Sequence, residues 1–191
     1  LGLHKPHWHG GMVSASSTLA PQPKAQGDSD SGAQLSAAVA LPQIISFSQS
    51  SKEERIDLLK KIIQEYEKRY KEFAEVITKE MGAPNWLSER AQANTGLKNF
   101  KETLEALEKY EFEKEEGGYI LRKEPIGVIG MITPWNWPMN QITTKVSAAI
   151  AAGCTMILKP SEISPYCSML LAEVMHDAGV PKGFKCRTNG S

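Results

Sequence analysis

The 191-residue chain carries 22 Lys plus Arg against 22 Asp plus Glu and is 41% hydrophobic, enough for one core and too balanced for a field that draws nucleic acid or an anionic membrane. No apolar run approaches the roughly 20 residues that span a bilayer, no basic region followed by an apolar stretch opens the chain, and no Arg precedes Arg55, so no membrane partner is expected and a cytoplasmic location is the default. Cys154, Cys167 and Cys186 lack CxxC spacing and suit reduced thiols.

Residues 1–44 are dominated by Ser, Ala, Gly, Pro and Gln, as in "SASSTLAPQPKAQGDSDSGAQLSAA", and such a segment cannot bury enough apolar surface to offset its ordering entropy. A disordered tail is predicted there. His4, His7 and His9 have no acidic or Cys ligand nearby and read as part of that solvated tail, so no metal site is expected. From Ser51 the pattern becomes helical. Ser51 and Glu54 form the S-x-x-E capping signature, and Ile56, Leu59, Ile63, Tyr66, Tyr70, Phe73, Ile77 and Met81 recur at steps of three or four. One continuous helix is predicted, ending at Gly82 and Pro84. A second follows, with Ala93, Leu97, Phe100, Leu104 and Leu107 on one stripe.

Beyond Tyr110, "GYILRKEP" reads as an extended connector or edge strand, and "IGVIGMIT", residues 126–133, as a strand buried on both faces. Pro138 opens a helix that Gly153 stops. "CTMILK" is a second buried strand. Ser164 is then expected to cap a helix with Pro165 at its first position and Leu170, Leu171, Val174, Met175 and Ala178 on its inner face. Strand, helix, strand, helix predicts an α/β fold: a partial Rossmann-like parallel sheet of right-handed βαβ units, preceded by long N-terminal helices. Ligands bind at the carboxyl ends of such strands.

Two loops follow those ends. In "TPWNWP", Pro134 and Pro138 bracket Asn136, whose amide offers N–H donors without charge, the chemistry that stabilises a developing oxyanion. In "KPSE", Lys159 and Glu162 supply a cation and a bidentate acceptor suited to the hydroxyls of a ribose. An asparagine between prolines is also a common turn residue, and a Lys/Glu pair after a strand is commonly surface. Neither G-x-G-x-x-G nor a P-loop is present, so a bound nucleotide would lie without the usual glycine fingerprint.

Residues 124–183, with "PWNWP", "AAGCTMILKPSE" and "AGVPKG", closely resemble the coenzyme-binding domain of the aldehyde dehydrogenase superfamily, and "SKEERIDLLKKIIQEYEKRYKEFAEVITKEMGAP" resembles its N-terminal helices. The resemblance covers roughly residues 45–183. It implies NAD-dependent oxidation of an aldehyde to a carboxylic acid through a thioester. Asn136 matches the family's oxyanion asparagine, and Ile132, Thr133, Pro134 and Trp135 match the segment lying along the dinucleotide. Lys159 and Glu162 match the pair on the adenosine ribose, where a carboxylate would repel a 2′-phosphate and favour NAD over NADP. Lys145 matches a lysine linked to proton relay, although helix packing accounts for it equally well.

In the family the nucleophilic Cys, the base Glu and the pyrophosphate turn lie beyond the position of residue 191. Cys154, Cys167 and Cys186 read as structural. Residues 1 to about 40 lack the expected early strands and "FKCRTNGS", residues 184–191, diverges from the expected apolar strand. These departures lead us to expect a truncated or frame-shifted product of a gene for an aldehyde-oxidising, homo-oligomeric parent. The alternative function is a non-catalytic coenzyme-binding fragment, inactive alone.

Overall fold

A computed structural model describes residues 47–181 and the backbone of residues 184–186. The predicted disorder of residues 1–44 and the three histidines lie outside the described residues.

Helix α1, Lys52–Lys68, begins with the reciprocal capping box: the Glu54 N–H donates to Ser51 Oγ (3.1 Å) and the Ser51 N–H to Glu54 Oε2 (2.7 Å). The single long helix expected from the periodicity is broken at Arg69 (φ −103°, ψ 15°), where a shared bond from the Arg69 N–H to the Glu65 and Tyr66 carbonyls tightens the turn. Helix α2, Tyr70–Met81, starts directly after it. Tyr66 and Phe73 stack face to face across the break, centroids 4.1 Å apart, and both are fully buried. Gly82 ends α2 in the left-handed region, φ 68°, with its N–H on the Thr78 carbonyl.

A short helical turn, Asn85–Leu87, runs into a six-residue π-helix, Ser88–Ala93, and then into α3, Asn94–Lys109. The hairpin that follows pairs β1, Glu113–Glu116, with β2, Tyr119–Arg122. Gly117 and Gly118 both have positive φ (56° and 90°), the geometry of a tight primed turn. The expected connector is thus half of a ribbon whose first strand, the charged "EKEE", carries no apolar alternation.

The three-stranded sheet is parallel, in the order β3 (Val128–Ile132), β4 (Thr155–Lys159), β5 (Phe184–Cys186), with helices α4 (Pro138–Ala151) and α5 (Pro165–Asp177) as crossovers. The βαβ expectation holds. Two details differ. Strand β5 forms within the segment read as divergent, because pairing with β4, Met156 opposite Phe184, supplies what a three-residue strand cannot supply locally. And β3 is not buried on both faces. Successive right-handed crossovers put α4 and α5 on one side of the sheet, burying Met131, Met156 and Leu158, while Val128, Ile132 and Ile157 point the other way and stay 44%, 78% and 43% exposed. The core lies between that inner face and α1–α5, centred on Leu59, Tyr66, Phe73, Phe100, Ile142 and Leu171.

Arg55 of α1 is buried in this core. Its guanidinium donates to the Ser50 carbonyl (2.6 Å), Ser50 Oγ (2.9 Å) and the Ala151 carbonyl at the end of α4 (3.3 Å), and lies over the Phe112 ring. Gly153, with φ +74°, passes directly against it.

Candidate functional site

The paired register of β3 and β4 brings Ile132 opposite Lys159, and the Thr133 N–H donates to the Lys159 carbonyl (3.2 Å), extending the ladder past the end of β3. Both chains therefore leave the sheet at one edge, and the loops 133–137 and 160–164 start side by side there.

The first loop is held at both ends. Thr133 is buried, with its Oγ1 unpartnered, and Pro138, also buried, opens α4 at its first position, where the missing N–H costs nothing. The Trp137 carbonyl accepts from the Gln141 N–H (3.0 Å). Between these anchors Pro134, Trp135 and Asn136 are exposed, and Asn136 has no side-chain partner among the described residues. Helix α4 is fixed in turn by a polar seam with α3: the Asn99 amide donates to Asn140 Oδ1 (3.2 Å) and to the Thr143 and Thr144 hydroxyls (both 2.9 Å), and Thr103 pairs with Ser147 (2.7 Å). The amide at 136 thus projects from a rigid support with its donors free.

In the second loop, Lys159 Nζ lies 3.6 Å from Glu162 Oε2, and both groups face solvent. The Glu162 carboxyl is held below its ordinary value, first by its own backbone N–H and then by the Lys159 charge. An ionised acceptor with free lone pairs beside a cation is the donor set that two vicinal hydroxyls require.

Lys145, on the second turn of α4, donates to the Gln141 carbonyl (3.0 Å). With Ile129, Ile132, Ala148 and Ala152 it lines a groove of about 470 Å³ beside β3. The structure therefore joins Ile132, Thr133 and Lys159 through the ladder, Lys159 and Glu162 through the ion pair, and Ile132 and Lys145 through the groove. It records no hydrogen bond or ion pair between Asn136 and any of them.

Cys154 and Cys167 are free and buried, and burial pushes the Cys167 thiol far above its ordinary value, with the Glu80 carboxylate adding to the shift. Both thiols sit within the core, away from solvent. Among the described residues no group of three or more His, Cys, Asp or Glu is placed to hold a metal ion, and no helix is long and apolar enough to cross a membrane.

The sequence reading missed Glu80. Its carboxylate, at the end of α2, accepts from the Tyr166 and Cys167 N–H groups at the start of α5, where Ser164 occupies the N-cap position without a side-chain cap bond. No motif signals this contact, which joins residues 86 positions apart.

The model of the aldehyde dehydrogenase family matches residues 15–188, beginning within the segment read as disordered. A putative aldehyde dehydrogenase of Staphylococcus haemolyticus is 46% identical over 146 residues, 76% of this chain and 31% of that protein. An aldehyde dehydrogenase from Bartonella henselae superposes with a TM-score of 0.79 at 40% identity, covering 84% of this chain and 35% of that one. Aldehyde dehydrogenase C from Pseudomonas syringae, a mutant complexed with NAD+ and octanal, gives 0.80 at 38% identity, covering 84% and 33%. The chain spans about a third of the length of the curated relatives it matches.

Proposed function

The chain belongs to the aldehyde dehydrogenase family, and on that premise we propose that it supplies the nucleotide clamp and the oxyanion donor of an enzyme that oxidises an aldehyde to a carboxylic acid with NAD. The observation that carries this reading is the Lys159–Glu162 pair at the end of β4, one ladder bond from the loop bearing Asn136. The NAD-bound relative from Pseudomonas syringae supports it.

In this reading Lys159 and Glu162 grip the adenosine ribose, and Ile132, Thr133, Pro134 and Trp135 line the path of the dinucleotide, Thr133 through its backbone because its side chain is buried. The bound coenzyme supplies the hydride acceptor. Glu162 accepts from both ribose hydroxyls and repels a 2′-phosphate, which favours NAD over NADP. Asn136 donates an N–H to the aldehyde oxygen as a thiolate adds to the carbonyl carbon and negative charge moves onto that oxygen. Lys145 holds a proton at Nζ beside β3, where it can relay one to solvent. The burial of both described thiols favours a second reading for the isolated chain, a coenzyme-binding module without turnover.

Titration of the chain with NAD and with NADP, followed by Trp fluorescence, tests the clamp. Tighter binding of NAD is expected. Glu162→Gln should reduce the preference about tenfold, and Lys159→Ala should weaken both ligands by a similar factor. Because the Glu162 pKa is depressed, affinity should begin to fall at a lower pH than an ordinary carboxylate would give. Absence of NAD binding by the unaltered chain, or an unchanged preference in Glu162→Gln, would refute the clamp.

A further inference from the structure

The first-turn N–H groups of a helix need acceptors from outside it. At the start of α5, Pro165 removes one such donor, and the Ser164 side chain does not take up the others. The acceptor comes from α2. The Glu80 carboxylate spans the gap and binds two amides, those of Tyr166 and Cys167, the latter at 3.1 Å. A carboxylate there also meets the positive end of the helix dipole. At the opposite end of α2, the Arg69 guanidinium lies 2.7 Å from Glu173 of α5 while also bonding Glu72. The 12-residue helix α2 is therefore tied to α5 at both of its ends.

This strap ends next to the clamp. Only Ile163 and Ser164 separate Glu162 from the first residue of α5. The intervening turn is closed by the Ser164 N–H on the Ser161 carbonyl and the Ile163 N–H on Ser161 Oγ (both 3.3 Å). With β4 fixing one end of the loop and the start of α5 the other, the direction in which Glu162 presents its carboxylate depends on where that helix begins. Occupation of the two amides by Glu80 also means that α5 offers them to no phosphate, leaving the ribose pair as this loop's contribution to a nucleotide.

We propose that Glu80 is a positioning residue for nucleotide binding: by capping α5 from α2 it holds the 160–164 loop so that Glu162 and Lys159 face the ribose together. The inference rests on the ribose-clamp reading above. It goes beyond that reading in assigning a role to a residue outside the parallel sheet and its crossovers.

The test is a double-mutant cycle on the whole chain, read by NAD titration and by amide hydrogen exchange. Glu80→Ala should speed exchange at Tyr166 and Cys167 at least about tenfold, leave α3 protected, and raise the Kd for NAD about tenfold. Glu80→Gln keeps one acceptor oxygen and should fall between, which preserves the test if the alanine variant folds poorly. If Glu80 acts through Glu162, then Glu162→Gln should weaken binding much less in the Glu80→Ala background than in the unaltered chain. Fast exchange with unchanged NAD affinity, or strictly additive losses, would reduce Glu80 to a structural cap and overturn the proposal. Failure of the unaltered chain to bind NAD overturns it through the clamp reading instead, a result distinct from binding that is indifferent to Glu80.

Discussion

Gly153→Ala is expected to lower the unfolding free energy by about 3 to 4 kcal/mol, a fall in Tm of roughly 10 °C. Two costs combine. The backbone at 153 sits at φ +74°, where an L side chain costs about 1 kcal/mol or more. The new Cβ would also lie 2.6 Å from Arg55 Cζ and 2.7 Å from Nη2. A free arginine tip would swing aside cheaply, but this one is buried and spends its donors on Ser50 and Ala151. Moving it strands a charge, and each charge-assisted bond lost is worth about 1.5 to 3 kcal/mol. Chemical denaturation of Gly153→Ala alone and in an Arg55→Met background separates the two costs. In the second background only the backbone penalty, about 1 to 2 kcal/mol, should remain. A loss below about 1 kcal/mol in the unaltered background would show that Arg55 yields freely and does not join α1 to the end of α4.

On the proposed oxyanion role, Asn136→Ala is expected to carry the largest functional effect. In an active enzyme containing this segment, kcat should fall about 10²- to 10³-fold with NAD affinity unchanged, since the lost donor acts only when the aldehyde oxygen becomes anionic. The substitution should not disturb the fold. Asn136 is exposed and unpartnered, so alanine leaves no orphaned group behind, and thermal stability should move by less than about 0.5 kcal/mol. Asn136→Asp should be at least as damaging, because it faces the developing charge with another of the same sign. A kcat within threefold of the unaltered enzyme would remove Asn136 from the reaction.

Local patterns carried much of this molecule. Ser51 and Glu54 announce α1 because both halves of the capping box lie within one turn, and Pro138 and Pro165 announce α4 and α5 through their fixed φ. What escaped has tertiary causes. No Gly or Pro marks the break at Arg69, whose guanidinium bonds Glu72 and Glu173 while Tyr66 and Phe73 stack across the break. Strand β5 is invisible in "FKC" because its stability comes from β4. The hairpin had a signal in Gly117–Gly118, but the charged strand before it obscured the pairing. For the site, the residue types in "PWNWP" and "KPSE" suggested their chemistry and the family resemblance assigned their roles. Glu80 required coordinates, since nothing near it in the chain shows which helix it will meet.

The placement of both crossovers on one side of the sheet divides β3 and β4 into residues that answer to different constraints. Met131, Met156 and Leu158 are judged by how they fit the helices, so a change in their volume is felt at once across the interior. Val128 and Ile157 point away from α4 and α5, and their identity is free to drift, or to be redesigned, with whatever surface comes to lie over them. Two adjacent letters in the same strand can thus have unrelated histories, one written by the protein's own architecture and the other by its neighbour.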